Sequence, residues 1–211
     1  MDTVQHLTSG AAALNVDVTP QQAQTLLRLL DELDAWNQRI NLTAIKDRDQ
    51  QITKHLLDSL SVHRYLHGSH IADIGTGAGF PGLPLALLNP GRHFTLIDAT
   101  AKKLRFVEHA AAVMGISNVT ALHVRAESHK PDPRYDCLVS RALGSIEKFV
   151  MWCGPSCAGG GRLLAMKGRL PEEELKHIPN GWKAGAVHRL VIPGLEEERH
   201  LVEICRSHER L

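Results

Sequence analysis

The sequence predicts an α/β protein. Its expected architecture is a mostly parallel seven-stranded sheet, a C-terminal antiparallel strand pair and an N-terminal helical extension. Three observations carry this prediction. From residue 70 onward, short apolar runs alternate with runs of helical period, the pattern of strand–helix units in a sheet covered on both faces. The first such junction is a glycine-rich turn within "ADIGTGAGFPGLPLALL", residues 72 to 88. At the other end, "AVHRLVIPG" and "HLVEICRS" are two strand-like runs joined only by "LEEER", too short for a crossover between parallel neighbours.

The elements follow in order. "TPQQAQTLLRLLDELDAWNQRI" opens with Thr19 as a cap, Pro20 in the first helical position and Gln22 in the capping-box position. Leu26, Leu27, Leu30, Leu33, Trp36 and Ile40 then recur on one helical face. A second helical pattern passes through Ile52, Leu56, Leu60 and His63 and stops at Gly68. "HIADIG", "HFTLIDA", "VTALHVRAE", "YDCLVSRA" and "GRLLAMKG" read as strands, with helices at "PGLPLALLN", "KKLRFVEHAAAVMG" and "SIEKFVMWCG" between them. Residues 1–68 are the expected extension and 69–211 the sheet unit, together one compact body.

Composition narrows the function. The 211 residues are 43% hydrophobic and 22% charged, ordinary for a soluble globular chain. No apolar run approaches the roughly 20 residues of a bilayer span. "MDTVQHLTSG" lacks the basic start and apolar core of a secretory signal, so a cytoplasmic protein without membrane contact is expected. Cys137, Cys153, Cys157 and Cys205 show no metal-ligand spacing, and Cys153 with Cys157 would lie one helical turn apart, a packing arrangement. His63 and His67 have i,i+4 spacing, but "RYL" between them offers no further ligand, so no metal is expected. The net charge of +1 announces no nucleic-acid partner, which must then be met by a local patch. Glu172–Glu174 and Glu196–Glu198 read as solvated surface.

The glycine turn lies where open α/β sheets bind ligands, beyond the carboxyl ends of the strands. A dinucleotide fingerprint needs glycine at its first, third and sixth positions. Gly75 and Gly77 satisfy two, but Phe80 holds the sixth and Gly79 falls one residue early. Pro81 and Pro84 remove two N–H donors from the start of the following helix, which suits a cofactor without phosphate. S-adenosylmethionine is such a cofactor. Gly75 and Gly77 would let the backbone approach its amino-acid portion, and Asp73 would attract its ammonium. Asp98, ending the second strand, would take the ribose hydroxyls, and Ala126 and Glu127 would border the adenine.

"DIGTGAGFPGLPLA", "LIDATAKKLRFV", "VRAES", "SRAL" and "MKG" stand in the order found in the ribosomal RNA small-subunit methyltransferase G family, also called glucose-inhibited division protein B. "NLTAI" and "HLLDSL" extend this resemblance into the N-terminal region, over roughly residues 20 to 205. Ala99–Thr100–Ala101 departs from the more usual Ser-Leu before the basic pair. The resemblance implies a Rossmann-like class I methyltransferase fold and methylation of guanine N7 in the 530 loop of 16S rRNA. It also implies that Gly75, Phe80, Ala126, Glu127 and Arg141 contact the cofactor.

Guanine N7 carries a lone pair and no proton, so its methylation needs proximity and orientation rather than a general base. No His–Asp or Cys–His constellation stands out, as that reaction and a non-enzyme would both require. Lys102, Lys103 and Arg105 follow the second strand, Arg125 and Arg141 end the third and fourth, and Lys167 and Arg169 follow the fifth. These form a basic rim suited to RNA phosphates. Arg141 and Lys167 are assigned to positioning and electrostatics at the reacting base, with Arg141 donating to guanine O6. Asn41, His55 and Asp58 have two readings: the resemblance implies that the helical extension helps form the cofactor or RNA pocket, whereas their residue types suit interhelix hydrogen bonds, with Asp58 or Asn41 tying the extension to the sheet. The expected partner is 16S rRNA within the small ribosomal subunit or an assembly intermediate, and the expected state is a monomer. A methyltransferase for a small molecule or protein, and a non-catalytic ribosome-binding module, remain alternatives.

Overall fold

A computed structural model describes residues 2–141 and 143–207. Ala142, in the "SRAL" motif, and residues 208–211 of the expected sheet unit lie outside them. Among the described residues the sheet has seven strands: β1 (His70–Ile74), β2 (His93–Asp98), β3 (Val119–His123), β4 (Tyr135–Ser140), β5 (Cys157–Lys167), β6 (Trp182–Leu190) and β7 (Arg199–Arg206). Their spatial order is β3-β2-β1-β4-β5-β7-β6. β1 to β5 pair in parallel, whereas β7 is antiparallel to both β5 and β6. The tail hairpin therefore inserts its second strand next to β5 and leaves β6 at the edge. That reversal brings the beginning of β7 to the carboxyl end of β5, with His200 opposite Lys167.

The helices are α1 (Thr3–Ala13), α2 (Pro20–Asn37), α3 (Arg48–Gln51), α4 (Asp58–Leu60), α5 (Gly82–Leu88), α6 (Ala101–Met114), α7 (Ile146–Cys153) and α8 (Glu172–Leu175). α2 carries the capping box read from Thr19 and Gln22. α1 is not announced by periodicity, because its apolar face consists of Leu7, Gly10 and Ala11 and carries a weak hydrophobic signal. Gly10 is there for contact: a Cβ on it would lie 2.6 Å from Leu57 Cδ1. The expected second helix is also not uniform. Between α3 and α4 the chain widens into a π-helical stretch, Ile52–Leu57, a feature that often marks functional segments.

The extension and one face of the sheet share a single apolar core. Leu7, Leu26, Leu30, Leu56 and Leu60 belong to the same cluster as Ile71, Phe94, Phe106 and Leu164. The opposite face packs a second cluster around Phe149, Val150, Leu138 and Ile204. Cys153 ends α7 and Cys157 begins β5, so they do not share a helix, although both are buried as packing residues.

Candidate active site

The turn after β1 is built from its own backbone and one buried acid. Gly75, Gly77 and Gly79 have φ of 70°, 61° and 85°, a region that glycine occupies without a Cβ penalty. The Gly75 and Thr76 N–H groups donate to Ile97 O at 2.8 and 3.0 Å, locking the turn to β2. Asp73 is completely buried, and its Oδ2 accepts from Thr76 Oγ1 at 2.7 Å and Gly82 N at 2.8 Å. Its buried Oδ1 has no hydrogen-bond partner among the described residues. Burial pushes the carboxyl up to about 6, against the pull of the Thr76 and Gly82 hydrogen bonds. Sequence position suggests that Asp73 stands on the ligand side of the turn. The structure buries it within the turn, where Oδ2 ties Thr76 to Gly82 and Oδ1 is left without a partner among the described residues.

Beyond the turn opens a cleft of about 470 Å³, bordered by Gly75, Asp98, Ala126, Glu127, Leu143 and Trp152, among others. Asp98 Oδ2 accepts from Gly77 N at 2.9 Å and Oδ1 from Thr100 N at 2.8 Å. Each oxygen retains a lone pair, so the carboxylate can still accept from a diol. The residues present fit S-adenosylmethionine: side-chain-free backbone at Gly75 and Gly77, and an acid at the end of β2. α5 starts with Pro81 as its cap and carries Pro84 in its first turn, so two N–H donors that a phosphate would need are missing. Phe80 is buried rather than on the cleft wall, its ring stacked on His55 at 4.8 Å.

The basic residues divide among locations. Lys103 and Arg125, expected on an RNA surface, border the cofactor-sized cleft together with Lys148. Lys102, Arg105 and Arg169 are exposed. Arg141 and Lys167 border two further clefts, of about 280 and 320 Å³. The larger of these shares Leu143 and Gly144 with the cofactor-sized cleft. A continuous trough thus runs along the carboxyl ends of β1 to β5. Lys167 Nζ donates to both Glu174 carboxylate oxygens and to Gly144 O. Glu174 Oε2 also accepts from Ile146 N at 2.7 Å, so this acid is a partner of the site and not the solvated surface charge expected. Glu197 is likewise paired, with Lys54 at 2.7 Å.

The smaller cleft lies between extension and sheet, bordered by Lys54, His55, Asp58, Arg141, Arg199 and His200. Asp58 does tie the extension to the sheet, through Arg141 and Arg199. Asn41 does not, being exposed; the neighbouring loop is held by Asn37, whose Oδ1 accepts from Leu42 N at 2.7 Å. His55 Nε2 is 2.9 Å from Thr43 Oγ1, and its buried Nδ1 has no partner among the described residues. Burial, aided by the Arg141 charge, lowers His55 to about 4, so the imidazole is neutral. Lys148 and Trp152 carry no motif in the sequence, although their i,i+4 spacing on α7 places them on one face. Arg199 and His200 have no local signal, because only the insertion of β7 beside β5 brings them to the site.

The family model described as rRNA small subunit methyltransferase G, GidB, matches residues 22–202. This chain belongs to that family. Among methyltransferase G relatives, the Marinobacter nauticus protein is 40% identical over 201 residues, covering 95% of this chain and 94% of the relative. The Aeromonas salmonicida protein is 40% identical over 200 residues, with 95% and 96% covered. Both carry the name ribosomal RNA small subunit methyltransferase G. Among solved structures, magnesium protoporphyrin IX methyltransferase from Synechocystis, with bound S-adenosylmethionine, aligns at a TM-score of 0.61. It is 17% identical, with 90% of this chain and 98% of that one covered. A SAM-dependent methyltransferase from Aquifex aeolicus aligns at 0.57 with 19% identity, over 74% of this chain and 92% of that one. The chain has the Rossmann-like fold of S-adenosylmethionine-dependent methyltransferases, as its sequence predicted. Among its described residues no helix is long and apolar enough to cross a membrane. No cluster of three or more His, Cys, Asp or Glu among them could hold a metal ion.

Proposed function

We propose that this chain transfers a methyl group from S-adenosylmethionine to N7 of a guanine in the 530 loop of 16S rRNA, as a cytoplasmic monomer acting on the small ribosomal subunit or its assembly intermediate. The observation that carries this reading is the trough: a cleft suited to the cofactor opens, past Leu143 and Gly144, onto one flanked by Arg141 and Lys167. Family membership supplies the substrate class.

When bound, S-adenosylmethionine supplies an electrophilic methyl on a sulfonium. In this reading Gly75 and Gly77 admit its amino-acid portion, Asp98 accepts from its ribose, and Ala126 and Glu127 border its adenine. Asp73 contributes by pinning the turn, and Phe80 by bracing it against His55. Guanine N7 attacks with its own lone pair, so no residue has to remove a proton. The chain's task is to hold N7 in line with the methyl and to tolerate positive charge arriving on the base. Arg141 donates to O6 and leaves the N7 lone pair free. Lys167 steadies the site through Glu174 and Gly144, while Lys102, Lys103, Arg105, Arg125 and Arg169 meet RNA phosphates.

The test incubates the protein and labelled S-adenosylmethionine with small subunits lacking the modification, then maps N7-methylguanine by reduction and aniline cleavage. Label at a single guanine of the 530 loop is expected, and Arg141→Ala should abolish most of it. Absence of label in RNA refutes the reading. Unchanged turnover by Arg141→Ala refutes the role given to that residue.

A further inference from the structure

We infer that Asp58 is the positioning residue for the substrate side of this site, clamping Arg141 and Arg199 with its two carboxylate oxygens; this rests on the methyl-transfer reading above. Asp58 Oδ2 accepts from Arg141 Nη1 at 3.1 Å, and Oδ1 from Arg199 Nε at 3.0 Å. Its side chain is only 2% exposed, so substrate does not reach it, whereas the arginines are 32% and 25% exposed. Arg141 Nη1 also donates to Lys54 O at 3.2 Å, and Arg199 Nη1 to Glu198 O at 2.8 Å. These bonds engage Nη1 of Arg141 and both Nε and Nη1 of Arg199. Among the described residues, Arg141 Nε and Nη2 and Arg199 Nη2 have no hydrogen-bond partner, so donors remain for a substrate.

Three elements distant in sequence meet at this carboxylate: α4 of the extension, the segment after β4 and the start of β7. A π-helical stretch, Ile52–Leu57, stands immediately before Asp58 at the entry to α4. A buried ion pair is weak evidence for stability, because apolar replacements of similar volume often serve folding as well. What the carboxylate does provide is a fixed direction for two long side chains. It also lowers the charge of the pair from two to one, which matters where the reaction brings positive charge onto the base.

The test is a double-mutant cycle on Asp58→Asn and Arg141→Ala, read by S-adenosylmethionine dissociation constant, kcat and KM on small subunits. An asparagine presents one oxygen and one NH2, so it can hold at most one guanidinium. Asp58→Asn is expected to leave the cofactor dissociation constant within about twofold and to lower kcat on the order of 10²-fold, the scale of a 1 Å misplacement. Added to Arg141→Ala, it should lower kcat by much less than it does alone, because Asp58 acts partly through that arginine and only its hold on Arg199 is left to lose. Full multiplication of the two losses, or wild-type kcat in Asp58→Asn, overturns the inference. If Asp58→Asn does not bind cofactor, Asp58→Glu decides. That variant keeps the charge but displaces both guanidiniums, so wild-type kcat overturns the inference, and a kcat loss with unchanged cofactor binding supports it. A wild-type protein that labels no RNA overturns the proposed function and this inference with it, a result distinct from failure of the variants alone.

Discussion

Acidification should destabilise this protein through His55 in a way that one substitution isolates. The imidazole is stacked on Phe80, touches Thr43 and is only 7% exposed. Burial first, and the Arg141 charge second, lower it from 6.5 to about 4. The unfolded chain therefore binds a proton before the folded one does. Stability associated with neutral His55 is complete above 6.5 and is lost as pH falls toward 4. Each pH unit between those two values removes about 1.4 kcal/mol, so the loss between pH 7.5 and pH 4.5 comes to about 2–3 kcal/mol. His55→Phe keeps a flat ring against Phe80 and cannot titrate. Urea unfolding of both proteins at pH 7.5, 6.5, 5.5 and 4.5 gives the difference in stability, in which the other titrating groups cancel. Wild type should lose about 2–3 kcal/mol relative to His55→Phe across that range, most of it below pH 6.5. If the two curves run parallel, the imidazole is not buried neutral and the extension does not seal it against the cofactor loop.

The glycine turn gives three further expectations. Asp73 is raised from 3.8 to about 6 by burial, so the stability it brings is complete below 3.8 and lost as pH rises through 6. Asp73→Asn, whose carbonyl can accept from Thr76 and Gly82, should therefore unfold no more easily than wild type at pH 7.5; a loss above about 2 kcal/mol in urea would show that the charge itself is required. Gly82→Ala would place a Cβ 2.7 Å from Leu96 Cγ and 2.8 Å from Asp73 Oδ2, so overpacking of about 1–3 kcal/mol is expected, with weakened cofactor binding by calorimetry. Asp98→Asn should weaken S-adenosylmethionine roughly ten- to a hundredfold by removing a charged acceptor. Unchanged affinity would remove Asp98 from the ribose contact.

The legible parts of this molecule are those written in short segments. Alternating runs of period two and 3.6 announce the strands, the Thr19–Gln22 box opens α2, and Phe80 with Pro81 and Pro84 sets the glycine turn apart from a pyrophosphate site. The illegible parts are those in which distant segments meet. α1 escapes the pattern because Gly10 and its alanines pack by closeness rather than by hydrophobic mass. The π-helical stretch leaves no mark on the apolar pattern. Asp73 stands two residues before the turn, and only the fold shows that it is fully buried and joins Thr76 to Gly82.

By itself the sequence determined the fold class, the order of the elements, the cofactor class and the family, because each rests on residues near one another in the chain. The tertiary structure alone decided how the cleft between extension and sheet is assembled. Inserting β7 beside β5 brings Arg199 to Arg141, and the carboxylate that joins them comes from a helix more than eighty residues before either. No local pattern encodes that meeting, since it depends on the strand order of the sheet and on the face of the extension packed against it.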